Sequence, residues 1–198
     1  MTDPDRTRDD RTHWEGRYAE RGEALDRAPS PWIVERALAR PRDGLFLDLA
    51  GGTGRHAAPL VAAGRRVIVV DFIPRAVQAA MRRQAGTMGI AADATALPIE
   101  AGSIGTIICV SFLDRSIFST LGELLAPGGA LIYETFTIAH LDVVARGKAR
   151  GPRNPAFLLR PNELPELVVP LTVQEHSEGT VIDAVGERSI ARVLAVKS

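Results

Sequence analysis

Short apolar runs alternate with amphipathic segments along the middle of the chain. An apolar run of roughly four to eight residues is typical of a strand that is buried on both faces of a sheet. Because helical segments separate the runs, we expect parallel strands joined by right-handed crossovers. The predicted strands, of which the third is the weakest, are Leu45–Leu49, Val67–Val70, Ile90–Ala92, Ile107–Val110 and Ala130–Phe136.

The segments between these runs have helical periodicity. Ser30 followed by Pro31 predicts a helix start with Ser30 as the N-cap residue. A helix of about ten residues is predicted to end at Gly64, and Ser116 is predicted to cap the helix after the fourth strand. Pro74 predicts the start of another helix, whose buried face would hold Ala76, Val77, Ala80 and Met81.

The two ends of the chain have weaker patterns. Residues 1–11 lack apolar periodicity, which predicts a disordered tail, and residues 12–40 are predicted to form N-terminal helices. Near the C-terminus, Leu171–Glu178 and Ser189–Lys197 are predicted strands that a hairpin can connect. The pattern as a whole predicts one α/β domain over residues 12–198. Its sheet would be doubly wound, Rossmann-like and mostly parallel, with a C-terminal antiparallel hairpin.

Composition narrows the choice of partners. The chain has 198 residues, of which 45% are hydrophobic and 24% are charged, and its formal net charge is zero. A neutral chain gives no electrostatic reason to expect nucleic acid or an anionic membrane as the partner. A single cysteine, Cys109, allows neither an internal disulfide nor a cysteine metal cluster. We therefore expect a cytoplasmic monomer or homodimer that binds no metal and acts on a small molecule.

A glycine-rich turn at residues 51–54 joins the first predicted strand to a helix. Glycine in such a turn lets the backbone bend sharply and lets a ligand approach closely. Gly52, Gly54 and Ala57 also fit the fingerprint of dinucleotide-binding sheets, with Asp71 as its acidic residue. A tight turn without a ligand has the same residues, so this pattern alone does not identify a ligand.

Asp48, which precedes the glycine turn, distinguishes between two ligands. A dinucleotide places its pyrophosphate on this turn, where a nearby carboxylate would repel it. S-adenosylmethionine (SAM) carries an ammonium group in its methionine half, which the same carboxylate attracts. Asp48 therefore favours SAM, although its side chain can also cap the helix that follows.

Two further aspartates close the next two predicted strands. Asp71 follows the second strand, where an acidic side chain can accept hydrogen bonds from both hydroxyls of a ribose. Asp93 follows the third strand, where its carboxylate can accept a hydrogen bond from the exocyclic amine of adenine. The Ala94 N–H can donate a hydrogen bond to a ring nitrogen of the same base. Acidic residues at the ends of successive parallel strands share one edge of the sheet, and open α/β sheets bind ligands at that edge.

These motifs resemble those of the class I SAM-dependent methyltransferases. Within that family, the segments 13–18 and 157–164 are most similar to the small tellurite-resistance and thiol-type enzymes. The resemblance implies SAM as the cofactor and a lid formed by Trp14 to Tyr18. Together with Gly54 of the turn, the predicted cofactor-binding residues are Tyr18, Asp48, Ala50, Gly51, Gly52, Asp71, Phe72, Asp93, Ala94 and Ser111.

Candidate residues for the acceptor side follow the fourth strand. Methyl transfer is an in-line displacement in which alignment supplies most of the acceleration, and a base is needed only when the acceptor must lose a proton. Arg115 can hold an anionic acceptor and Asp114 can take a proton, although the two can also form a surface ion pair. His176 is a further candidate base, although a lone histidine on a strand is more often structural.

Three functions remain open from the sequence. The first is transfer of a methyl group from SAM to a small-molecule thiol, oxyanion or hydroxyl. The second is an NAD-dependent oxidoreductase, supported by Gly52, Gly54 and Ala57. The third is a SAM-binding regulatory protein without turnover. It remains open because sequence motifs indicate a cofactor site but do not identify an acceptor site.

Overall fold

The computed structural model describes residues 12, 14–16, 18, 28–149, 151–183 and 186–198. Its strands are β1 (Leu45–Leu49), β2 (Arg66–Asp71), β3 (Met88–Ala91), β4 (Ile104–Val110), β5 (Leu125–Phe136), β6 (Thr172–Asp183) and β7 (Gly186–Val196). Its helices are α1 (Pro31–Leu38), α2 (Ala57–Ala62), α3 (Pro74–Arg83), α4 (Phe118–Leu124), α5 (His140–Ala145) and α6 (Glu163–Leu167). The predicted tail over residues 1–11 lies outside the described residues.

The described strands form one seven-stranded sheet in the order β3-β2-β1-β4-β5-β7-β6. Neighbouring strands from β3 to β5 run parallel, whereas β7 runs antiparallel to both β5 and β6. The predicted fold, a mostly parallel Rossmann-like sheet with a C-terminal antiparallel hairpin, is confirmed. In the described part of the chain, no helix has the length and hydrophobicity needed to cross a bilayer.

Alternate residues of the central strands enter two separate cores, one on each face of the sheet. One core combines Leu47, Cys109 and Tyr133 with Leu121 of α4 and Leu164 of α6. The other core combines the neighbouring strand residues Phe46, Ile108 and Ile132 with Ile33 of α1, Leu60 of α2 and Ala80 of α3. Helices on both faces therefore hold the central strands in place, so that their carboxyl ends form a rigid edge.

Of three predictions about helix ends and faces, the first is confirmed and the other two are wrong. Ser30 is the N-cap residue of α1 and the helix begins at Pro31, as predicted, although the Ser30 hydroxyl donates to buried Glu134 instead of capping the helix. Ser116 does not cap the helix after β4, since Asp114 caps a single 3-10 turn there and accepts the Ser116 N–H. Met81 is 46% exposed, because α3 packs against β3, an edge strand too short to cover it.

Two predicted strand boundaries also shift. The third strand is Met88–Ala91 rather than Ile90–Ala92, because pairing with β2 begins at Met88 opposite Ile68. The C-terminal hairpin is longer than predicted, since β6 and β7 remain paired up to Asp183 opposite Gly186. β6 lies at the edge of the sheet with most of its residues exposed, so apolar periodicity did not reveal its full length.

A later piece of chain continues the pairing of β4 beyond its end. Ser111 N–H donates to the Glu134 carbonyl of β5, and the backbone then turns away at Ser111, whose φ is 60°. Further along β5, Leu159 N–H donates to the Phe136 carbonyl and Ile138 N–H donates to the Leu159 carbonyl. Thr137 N–H donates to Ser189 on the β7 side, so Leu159 lies on the β4 side of β5.

Candidate active site

The strand order reverses between β1 and β4. The chain proceeds outward from β1 to β2 and β3 and then crosses back to β4 on the other side of β1. A crevice forms outside the carboxyl ends of parallel strands at such a reversal, and open α/β sheets bind ligands there. The glycine turn follows β1 directly and lines this crevice.

The glycine turn has a left-handed backbone at alternate positions. The φ angles are 51° at Ala50, 56° at Gly52 and 72° at Gly54. A Cβ on Gly54 would lie 2.8 Å from the Cβ of Ala80, so glycine permits α3 to pack against the turn. A Cβ on Gly51 would lie 2.7 Å from the Asp48 carboxyl carbon. The turn is therefore compressed between a carboxylate on one side and a helix on the other.

The Asp48 carboxylate lies beneath this turn and is 1% exposed. Its Oδ2 accepts the N–H of Ala57, the first residue of α2, at 3.1 Å. Burial raises the pKa of Asp48 to about 7, and nearby Arg55 opposes that rise. The structure thus gives Asp48 a capping role, and a direct contact with a ligand stays a prediction.

Asp71 links the end of β2 to the glycine turn. One carboxylate oxygen accepts the Gly52 N–H at 2.9 Å, and the other accepts the Ile73 N–H at 3.0 Å. Burial raises the pKa of Asp71, while these two hydrogen bonds lower it. A carboxylate offers about four acceptor positions, so Asp71 can bind a ligand diol without losing its backbone partners.

Tyr18 lies against the same turn. A Cβ on Gly52 would be 2.6 Å from the Tyr18 hydroxyl oxygen, and the Trp14 and Tyr18 rings are 6.2 Å apart. Most of the predicted helix from His13 to Arg21 lies outside the described residues, but residues 12, 14–16 and 18 are helical. A neighbouring cleft of about 450 Å³ is lined by Glu15, Tyr18, Ile73, Pro74, Arg75 and Gln78.

The other predicted cofactor residues lie along the same edge. Asp93 and Ala94 are half-buried in the turn after β3, where Asp93 Oδ1 accepts both the N–H and the hydroxyl of Thr95. Phe72 follows β2 and is half-buried, whereas Ser111 follows β4 and is exposed. The structure therefore brings the ends of β1, β2, β3 and β4 to one edge, as the sequence predicts.

Arg115 is engaged by the protein itself rather than aimed at a ligand. Its Nε and Nη2 donate to the two Glu163 carboxylate oxygens at 2.7 and 2.8 Å. Nη1 and Nη2 also donate to the carbonyls of Ala156 and Leu158. The predicted Asp114–Arg115 surface ion pair is not formed, because Glu163 takes the guanidinium and Asp114 caps the 3-10 turn.

His176 does not belong to this site. It lies on the outer strand β6, opposite Val193 of β7, which in turn lies opposite Tyr133 of β5. Three strand spacings of about 4.8 Å separate it from β4, so the structure does not bring the predicted base His176 to the crevice.

Comparison with known proteins adds a family to this geometry. Residues 46–129, which run from β1 to the start of β5, match the family model described as "Methyltransferase domain". The matching part of the chain is a methyltransferase domain. It contains the glycine turn, Asp71, Asp93 and Ser111.

Curated proteins similar to this chain are named after different methyl acceptors. A demethylmenaquinone methyltransferase of Clavibacter sepedonicus is 33% identical over 121 residues, which cover 57% of this chain and 49% of that protein. A ribosomal RNA small subunit methyltransferase H of Anaeromyxobacter sp. (strain K) is 30% identical over 162 residues, covering 80% of this chain and 47% of that protein. The chain thus spans about half the length of these relatives.

Solved structures agree on the fold of the methyltransferase domain. A SAM-dependent methyltransferase from Methanosarcina mazei superposes with a TM-score of 0.68 at 18% identity, covering 86% of this chain and 98% of that chain.

A buried polar cluster around Glu134 of β5 was missed in the sequence. Glu134 is 0% exposed and accepts hydrogen bonds from Ser30, Arg188 and Arg192. His56 accepts the Ser30 N–H at 3.1 Å, and burial lowers its pKa. One signal was available, because a lone glutamate within the apolar run of β5 requires a buried partner.

Proposed function

We propose that this chain is a SAM-dependent methyltransferase that acts on a small-molecule acceptor. The observation that carries the proposal is the Asp71 carboxylate fixed against the Gly52 N–H, at the edge where the matched methyltransferase domain places its strand ends. A vicinal diol is the natural partner of a carboxylate held in this way. The exposed position of Ser111, across the crevice, suits the methionine half of SAM.

The residues of the crevice fit SAM better than a dinucleotide. Asp48 lies beneath the turn that would receive a pyrophosphate, and its carboxylate favours a ligand with a positive charge over one with two phosphates. Asp71 suits the ribose of either ligand and does not distinguish them. Bound SAM supplies an electrophilic methyl group, and the chain's contribution is to hold the acceptor in line with it and to exclude water.

The acceptor class is the finer part of the proposal. The resemblance of segments 13–18 and 157–164 to thiol-type methyltransferases favours a thiol acceptor, and a thiolate needs no base for methyl transfer. Asp114 remains the proposed proton acceptor for a hydroxyl substrate. The zero net charge favours a small acceptor over RNA, and the cytoplasm and a monomer or homodimer stay predictions.

Ligand binding tests the cofactor. Selective binding raises the melting temperature, so SAM and its product S-adenosylhomocysteine should stabilise the protein while NAD should not. Stabilisation by NAD alone would replace the proposal with an oxidoreductase. Binding of SAM without tritiated methyl transfer to thiols, phenols, oxyanions or total RNA would favour a regulatory SAM-binding protein.

A further inference from the structure

Leu159 stands where β4 would continue if it did not end, and residues 156–158 lead into it. Leu159 pairs with β5 through Phe136 and Ile138, on the edge that β4 occupies up to Val110. This position is directly beyond Ser111, on the side of the crevice opposite the glycine turn. The segment of residues 156–159 therefore forms a wall of the crevice on the side of β4 rather than on the cofactor side.

One ion pair ties this wall to the turn after β4. Arg115 donates to the carbonyls of Ala156 and Leu158 at 3.0 Å each. Its Nε and Nη2 also donate to the two carboxylate oxygens of Glu163. The Glu163 side chain is 3% exposed, and its carboxylate also accepts the Arg160 N–H at 2.8 Å. A planar guanidinium can make these four contacts together, whereas an ammonium cannot.

We propose that Arg115 and Glu163 are positioning residues that hold residues 156–159 as the acceptor wall of the active site. This inference rests on the proposed methyltransferase function. We call the Arg115–Glu163 ion pair, with its contacts to the carbonyls of Ala156 and Leu158, the clamp. These contacts include none to the glycine turn, Asp71 or Asp93, so the clamp acts on the acceptor side alone. Loss of the clamp loosens the wall and misplaces the acceptor, while the cofactor keeps its contacts.

The test compares Arg115→Gln, Arg115→Lys and the double variant R115Q/E163Q with Arg146→Gln. Arg146 pairs with Glu187 at 3.0 Å but donates to no carbonyl of the wall, so its loss is a matched control. Arg115→Gln leaves the buried Glu163 carboxylate with Arg160 as its remaining cation. The double variant removes that carboxylate charge as well, which separates loss of the clamp from the effect of a buried charge.

Three measurements are made on each variant. Hydrogen–deuterium exchange of residues 156–160 should accelerate about tenfold in Arg115→Gln and the double variant, less in Arg115→Lys, and not in Arg146→Gln. The dissociation constant of S-adenosylhomocysteine should stay within about twofold of wild type. With thiophenol as the acceptor probe, KM should rise about tenfold while kcat changes less.

Unchanged exchange in the double variant would overturn the clamp, and an equal loss of S-adenosylhomocysteine affinity would overturn its restriction to the acceptor side. Failure of the wild type to bind S-adenosylhomocysteine would instead refute the proposed function, and the exchange experiment would still judge the clamp. If the wild type binds S-adenosylhomocysteine but does not methylate thiophenol, the clamp is judged by the exchange rates and its restriction to the acceptor side by the S-adenosylhomocysteine affinity.

Discussion

At the scale of single residues, local geometry assigns roles that residue type leaves open. Asp48 and Asp71 have the same chemistry and follow neighbouring strands. Yet Asp48 lies under Gly51 and caps α2, whereas Asp71 faces Gly52 and Ile73 at the crevice. The sequence predicts the edge at which both residues lie, but it does not predict which of them keeps free acceptor positions.

The pKa of Asp48 gives a pH prediction. Burial raises it from 3.8 to about 7, so the native state holds this proton more tightly than the unfolded chain. The stabilisation is fully present below pH 3.8 and is lost as the pH rises through 7. Asp48→Asn keeps an acceptor for Ala57 and avoids this loss. We therefore expect its free energy of unfolding to gain on that of wild type as the pH rises.

Urea denaturation at a series of pH values measures this difference. Asp43→Asn, at an exposed position, is the control and should track wild type throughout. A difference between Asp48→Asn and wild type that stays constant from pH 4 to pH 8 would contradict the assigned protonation.

The glycine turn gives a steric prediction. Gly54 and Gly102 have φ angles of 72° and 71°, but only a Cβ on Gly54 meets another atom, the Ala80 Cβ at 2.8 Å. Both alanine variants carry a backbone cost of about 1 kcal/mol. Overpacking should make Gly54→Ala less stable than Gly102→Ala by about 1–3 kcal/mol. Equal midpoints in urea would show that α3 can move away at little cost.

At the scale of elements, a buried charge cluster joins α1 to the antiparallel part of the sheet. Glu134 of β5 is hydrogen-bonded to Arg188 and Arg192 of β7 and to Ser30, which precedes α1. Asp183 of β6 accepts from Arg188 as well, so three strands share the cluster. The contacts of Glu134 connect residues far apart in sequence, and apolar periodicity carries no information on them.

Removing the central carboxylate of this cluster should be costly. Glu134→Gln leaves Arg188 and Arg192 with Asp183 alone, and an uncompensated buried charge costs on the order of 3 kcal/mol. Glu187→Gln breaks the more exposed pair with Arg146 and should cost about 0–1 kcal/mol. Guanidinium denaturation compares the two variants. A loss in Glu134→Gln as small as in Glu187→Gln would mean that the cluster adds little to stability.

At the scale of the whole molecule, the parallel core was predictable and its surroundings were not. β1, β2 and β4 are continuous apolar runs because helices cover both of their faces, and this burial is visible in the sequence. β6 has one edge and most of its side chains in solvent, so its length depends on pairing with β7. The Arg115–Glu163 clamp joins segments that are distant in sequence, and no local sequence pattern predicts that these two residues form an ion pair.

The predicted lid formed by Trp14 to Tyr18 can be tested by truncation. Tyr18 lies against Gly52, so removing residues 1–27 should raise the dissociation constant of S-adenosylhomocysteine about tenfold, the scale of a lost contact worth about 1.4 kcal/mol. Removing residues 1–11 alone should leave the dissociation constant unchanged, which is the matched control. Isothermal titration calorimetry measures both values, and circular dichroism checks folding. Equal affinity in the two truncated proteins would remove the lid from the cofactor site.

The pairing of Leu159 with β5 separates two kinds of change that evolution or engineering can make. The stretch of chain that we propose as the acceptor wall follows the parallel core in sequence, and Leu159 is held there by backbone hydrogen bonds, which depend little on side-chain type. We therefore expect that the segment between Phe136 and Glu163 can be replaced by other sequences to accept other substrates. The donor half of the enzyme, finished at the end of β5, would be inherited intact.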